Sequence, residues 1–270
     1  MPFAFRLMLP VLLAAALLQT GCREVDGEPE HAGRSVVAVS SPYLACAAAD
    51  VLDDEADIVS LAGPGMCPGH FTVGYEQRRR LGRAAVFLRF AFQGHLDEKL
   101  PSPGPTVAPV SLPHGMCVPD SYVAAMRQTA DALIGAGLVA PDQAAARVAI
   151  AASAVADAGH ALRRRMASAD ANGMPVVCST HQVDFCRWLG LRVVGTFAGA
   201  DAVGIDALRE TLDSARDGGV RLVIANRPEG TRMADKLGEA LARPVVVFDN
   251  FPAPPADGIG RAKYLGMLTG

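Results

Sequence analysis

The stretch Pro141–Ala169, PDQAAARVAIAASAVADAGHALRRRMASA, decides how the rest of the chain is read. Pro141 and Asp142 supply a helix start, Gly173 supplies a stop, and the alanine-rich interval between them repeats its apolar residues at helical spacing. At about 30 residues it is unusually long for a globular helix, and at ~1.5 Å per residue it reaches roughly 40 Å, the length of a whole domain. A second helical run, Asp120–Ala136, precedes it, so no strand falls between about Pro119 and Asp170. A helix of this length set between two alternating series reads as a rigid spine connecting two lobes.

Working outward, both flanks alternate strand and helix. Before the spine the order is strand Ser35–Ser40, helix Pro42–Leu52, strand Asp57–Ala62, amphipathic helix Tyr75–Arg83, strand Ala84–Phe92, a Pro/Gly/Ser stretch at Pro101–Pro105, and strand Thr106–Leu112. After it come strand Pro175–Cys178, helix Val183–Leu189, strand Arg192–Thr196, helix Ile205–Asp217, strand Arg221–Ala225, helix Thr231–Ala242, strand Pro244–Phe248 and a last helix near Gly260–Leu268. Such βα series imply mainly parallel sheets with helices on their faces. The fold class is α/β: a lobe over 36–140, the connecting spine over 141–170 and a second lobe over 171–270.

Three Cys/His pairs share one short spacing: Cys67-Pro-Gly-His70, His114-Gly-Met-Cys117 and Cys178-Ser-Thr-His181. Any single pair is more simply a buried cysteine beside a surface histidine, but half of the six histidines fall in this pattern. Imidazole suits zinc, manganese, iron and copper, and thiolate favours softer ions, so converging clusters would complete one ion's shell. His70, His114, His181 and also Asp249 each follow a strand, where parallel sheets place their ligand sites.

The first residues address the compartment. Arg6, the apolar run Leu7–Leu18 and Gln19-Thr-Gly-Cys22 form a secretory signal with a lipobox-like end, predicting cleavage and lipidation at Cys22. The run is too short for a permanent span. Residues 23–35 hold almost nothing to bury and read as a flexible tether. Net charge is −3, which argues for neither nucleic acid nor an anionic surface as partner. Besides Cys22 there are Cys46, Cys67, Cys117, Cys178 and Cys186, an odd number. At least one must stay free, bind metal or pair between chains. Cys67 and Cys117 are expected either to form a disulfide or to join the metal.

On this organisation the chain resembles the zinc/manganese class of solute-binding lipoproteins of ABC transporters, over roughly residues 35–270. The marks are Gly63-Pro-Gly-Met-Cys-Pro-Gly-His70, similar to the family's Pro-Pro-Gly-x-x-Pro-His loop; Leu112-Pro-His114, similar to its Pro-His loop before the spine; Val176-Val-Cys-Ser-Thr-His181, with Gly190-Leu-Arg-Val-Val-Gly-Thr196 downstream; and Val245-Val-Val-Phe-Asp249. The resemblance implies His70, His114, His181 and Asp249 as ligands to one ion, with Cys67, Cys117 and Cys178 as secondary candidates. It further implies zinc first, with manganese or a softer transition metal also possible, an ABC permease as partner, and a monomer tethered in the periplasm. Asn226-Arg-Pro-Glu-Gly230 stands where the family usually shows Glu-Pro, and the cysteines beside the ligand loops are not a family trait.

Other features have simpler readings. His95 lies in a charged, solvated stretch, His160 on the exposed spine and His31 in the tether; Met66 and Met116 beside the cysteines are packing residues. Arg78-Arg-Arg80 is a solvated helix face. A zinc hydrolase is the less favoured reading, because no HExxH, Gly-x-Ser-x-Gly or glycine-rich phosphate loop occurs and no spacing ties Glu229 to the site as a base. A periplasmic trap for soft metals, or a thiol-redox protein, is the alternative that the cysteine content favours.

Overall fold

Val36-Val-Ala-Val39 is apolar without alternation, the pattern of a strand buried on both faces, and it forms β1 at the heart of a parallel sheet. The computed structural model describes residues 34–63, 73–199, 205–252 and 263–269. Cys22 and the tether with His31, and the loop bearing Met66, Cys67 and His70, lie outside the described residues. Around β1 stand β2 (Asp57–Ser60), β3 (Ala84–Phe90) and β4 (Thr106–Val110), in the order β2-β1-β3-β4. A second sheet repeats the plan with β5 (Pro175–Ser179), β6 (Arg192–Phe197), β7 (Leu222–Asn226) and β8 (Val245–Phe248), ordered β6-β5-β7-β8 and again parallel. In each sheet the third strand in sequence returns to the far side of the first, so β1/β3 and β5/β7 flank the points where an open α/β sheet opens a crevice.

The helices are α1 (Pro42–Leu52), α2 (Tyr75–Leu81), α3 (Pro119–Gly135), α4 (Pro141–Ser168), α5 (Val183–Trp188), α6 (Ile205–Asp217), α7 (Arg232–Leu241) and α8 (Tyr264–Thr269). The spine is α4, 28 residues with Pro141 in its first turn. It stops one turn before Gly173: Asp170 takes φ 51° and the Ala171 amide donates to Met166 O at 3.0 Å. One end of α4 is tied to the first half, where the Arg147 guanidinium donates to Val51 O at 2.9 Å and to Glu55 at 2.9 Å. Its other end meets the second half, where Arg163 lies 4.3 Å over the Trp188 ring. Gly159 permits that approach, since a Cβ there would stand 3.2 Å from Trp188 Cζ2.

The α/β class of two parallel sheets joined by a long helix is thus the observed fold. In the first half the strands end earlier than the apolar runs suggest, whereas β5, β6 and β7 run one residue further than expected. The expected strand Ala84–Phe92 stops at Phe90, where the buried Gln93 side chain accepts from Phe90 N at 2.9 Å and from Ser40 Oγ at 2.6 Å. That turns the chain into the 3-10 segment Ala91–Lys99. One hydrophobic cluster crosses both halves, from Val37, Val39 and Leu88 through Tyr122 and Met126 to Val176, Phe185 and Ile224. The outer sheet faces keep smaller clusters of their own, around Phe87 and Leu81 in the first half and around Val223 and Leu237 in the second. The inner faces of both sheets therefore belong to one packed interior, which couples the halves far more tightly than a single linking helix would.

Candidate metal-binding cleft

A cleft of about 990 Å³ opens between the carboxyl ends of the two sheets. From the first half it is lined by Phe90, Phe92 and His114, and from the second by His181, Glu229 and Asn250. His114 sits on the loop after β4, its backbone amide donating to Ser121 Oγ at 3.1 Å at the start of α3. The next amide, Gly115 N, reaches across to Asp184 Oδ2 on α5 at 2.9 Å, fixing this loop to the opposite half. His181 lies in the 3-10 turn Thr180–Gln182 after β5, capped by Ser179 Oγ accepting from His181 N at 3.2 Å. Its side chain is 56 % exposed.

The carboxylates divide sharply. Asp249 follows β8 as expected, but its Oδ2 is held by Arg227 Nε at 3.1 Å and its Oδ1 accepts from Phe251 N at 3.1 Å. Glu229, in the 3-10 turn after β7, places Oε1 3.4 Å from His181 Nε2 and is only 17 % exposed. Its Oε2 accepts from the Ser179 hydroxyl and from Asn226 Nδ2 at 3.1 Å, and Asn226 in turn accepts from Gln182 Nε2 at 3.1 Å. Ser179, Gln182 and Asn226 are buried, so the network is rigid. Asn250 lines the same cleft, 7 % exposed, with its Oδ1 left without a partner. A buried acceptor in that state is costly until a donor or cation reaches it.

The cysteines among the described residues are interior. Cys117 and Cys178 are buried free thiols and neither lines the cleft. Burial pushes the Cys117 thiol up to about 12, and its Sγ donates to Asp249 O at 3.2 Å, beneath that carboxylate. Its prospective partner Cys67 is outside the described residues. Cys186, also buried, is pushed upward by its hydrogen bond to Cys178 and then by burial. His95 and His160 are exposed and away from the cleft. Among the described residues no three His, Cys, Asp or Glu side chains stand close enough to hold an ion by themselves.

Two α/β halves with parallel sheets joined by a long helix make a fold that solved periplasmic metal-binding proteins share. The Mn-bound periplasmic metal-binding protein of Candidatus Liberibacter asiaticus superposes with a TM-score of 0.72 at 14 % identity, covering 87 % of this chain and 96 % of that one. The Cd-bound form of that protein gives a TM-score of 0.73 at 14 % identity over the same shares of both chains. The periplasmic zinc-binding protein TroA of Treponema pallidum gives 0.71 at 16 % identity, covering 88 % of this chain and 96 % of that one. No protein-family model matches the sequence, and no curated protein matches it either.

Proposed function

We propose that this chain is an extracytoplasmic solute-binding protein that captures a divalent transition-metal ion, zinc first and manganese or another ion next, for delivery to an ABC permease. The observation that carries this reading is that His114 and His181, from opposite halves, line one cleft at the carboxyl ends of parallel strands. The solved metal-binding proteins of the same fold support it. The proposed ligands are His70, His114, His181 and Asp249, with the ion as cargo and no chemical step performed on it. Neutral imidazoles replace the ion's water, and a carboxylate offsets its charge. Asp249 would first have to exchange Arg227 for the ion.

The test is metal analysis of protein purified without chelator, followed by zinc titration of the stripped protein. Since only the folded chain assembles the site, zinc at a hundredfold excess over its dissociation constant is expected to add about 2.7 kcal/mol of stability, read as a rise in Tm. Binding is also expected to release protons below neutral pH, where imidazoles must give up theirs to coordinate. Absence of both responses for zinc, manganese and copper ends this reading.

Anchoring is proposed to run through a lipidated Cys22. Cys22→Ser is expected to move the mature protein from the membrane fraction to the soluble one, since acyl chains supply the binding energy and the tether supplies none. No helix among the described residues is long and apolar enough to cross a membrane. Retention of the Ser variant in the membrane fraction would refute lipidation at this site.

A further inference from the structure

We infer that Glu229 is itself a ligand of the captured ion, its Oε1 and His181 Nε2 forming a prebuilt edge of the coordination shell. This rests on the metal-capture reading and puts, in the place given there to Asp249, a residue that local spacing does not mark. The separation of 3.4 Å is long for an N–H···O hydrogen bond, which prefers about 2.7–3.2 Å. It suits two atoms bound to one zinc: with Zn–N and Zn–O bonds of ~2.0–2.2 Å and a tetrahedral angle, ligand atoms stand about 3.3–3.5 Å apart. An ion can enter between them without moving either backbone.

The partners of Glu229 give the same assignment. Ser179 and Asn226 both donate to Oε2, so the carboxylate cannot rotate, and Oε1 is the oxygen presented to His181 and the cleft. That is how ligating carboxylates are held, one oxygen fixed by neighbouring donors while the other takes the metal. The supporting residues come from the ends of β5 and β7, the adjacent strands at the second sheet's crevice, so the edge is built on its most rigid part. Asp249, by contrast, has both oxygens engaged and does not line the cleft. A protonated His181 paired with Glu229 is the rival account of the same distance, and the two part on how the metal responds.

The experiment uses the full mature chain, stripped and reloaded. Zinc affinity is measured by competition with a chromophoric chelator, and the visible d–d spectrum is recorded on the Co²⁺-loaded protein, for wild type and Glu229→Gln. Glutamine keeps an acceptor for Ser179 and Asn226, so the metal-free fold is retained. The expected result is a loss of zinc affinity of about tenfold to a hundredfold or more, together with a shifted Co²⁺ band. Wild-type affinity in the variant, or weakened binding with an unchanged Co²⁺ spectrum, overturns the assignment; the second outcome makes Glu229 a positioning residue for His181. If Glu229→Gln does not fold, Glu229→Asp, which retracts the oxygen by one methylene, is read by the same criteria. Wild-type protein that binds neither zinc nor Co²⁺ removes the metal-capture reading itself, whereas tight binding by wild type and Glu229→Gln alike removes only the present one.

Discussion

Alanine at His114 or at His181 is expected to weaken zinc binding by about a hundredfold or more, a loss of at least about 2.7 kcal/mol. Replacing even an outer-shell partner of a metal ligand typically costs tenfold to a hundredfold, and a ligand lost outright should lie at or beyond that limit. His114 is the more telling position, because its loop is held by backbone donors, His114 N to Ser121 and Gly115 N to Asp184, which survive the substitution. The change therefore removes an imidazole and leaves the loop where it was. His70→Ala is expected to behave in the same way. His95→Ala and His160→Ala, exposed and outside the cleft, serve as controls and should bind as wild type does. Chelator competition measures all five, and wild-type affinity in His114→Ala would dismantle the two-lobed site.

The largest effect on stability is expected at Tyr264. This side chain, from α8, enters the first half and stacks on Tyr122 with ring centroids 4.0 Å apart, while Tyr43 meets both rings edge-on. Its hydroxyl donates to Cys117 O at 2.9 Å, and only 1 % of the residue is exposed. Tyr264→Ala empties a site surrounded by rings that cannot collapse into it, and is expected to cost about 3–5 kcal/mol. Tyr264→Phe keeps the stack and forfeits the hydrogen bond, at about 1 kcal/mol. Urea titration with the slope unchanged measures both. An alanine variant within about 0.5 kcal/mol of wild type would show that α8 contributes surface cover only.

Much of the fold is legible because parallel strands buried on both faces leave continuous apolar runs. Val36–Val39, Pro175–Ser179 and Leu222–Asn226 announce themselves this way, and α4 does so by its length. What decides where a strand ends is less visible. Gln93 terminates β3 through bonds to Ser40 and Phe90, and nothing in the local pattern marks a buried glutamine with a partner fifty-three residues away. The cleft divides along the same line. His114 and His181 stand out by their Cys/His spacing and by following strands, and the structure brings both to the cleft. Glu229 carries no such signal, because the groups that aim it, Ser179 and Asn226, lie on separate strands that become neighbours only when β5 and β7 pair. The surroundings of Cys117 are hidden for the complementary reason: its spacing from His114 is visible, but the sequence does not show that its sulfur turns inward toward Asp249 O.

The placement of Tyr264 has a consequence for the order of events in folding. The first half cannot finish its aromatic cluster from its own residues, since the ring that closes it arrives from α8, after both sheets have been laid down along the chain. Contacts between residues so far apart in sequence form late, because the loop between them must be ordered before the contact returns any energy. A chain emerging from its N-terminal side thus holds an unfinished interior until its last helix is available. The same closing helix ties the far end of the second half into the interior of the first, so that the two halves share one packed core.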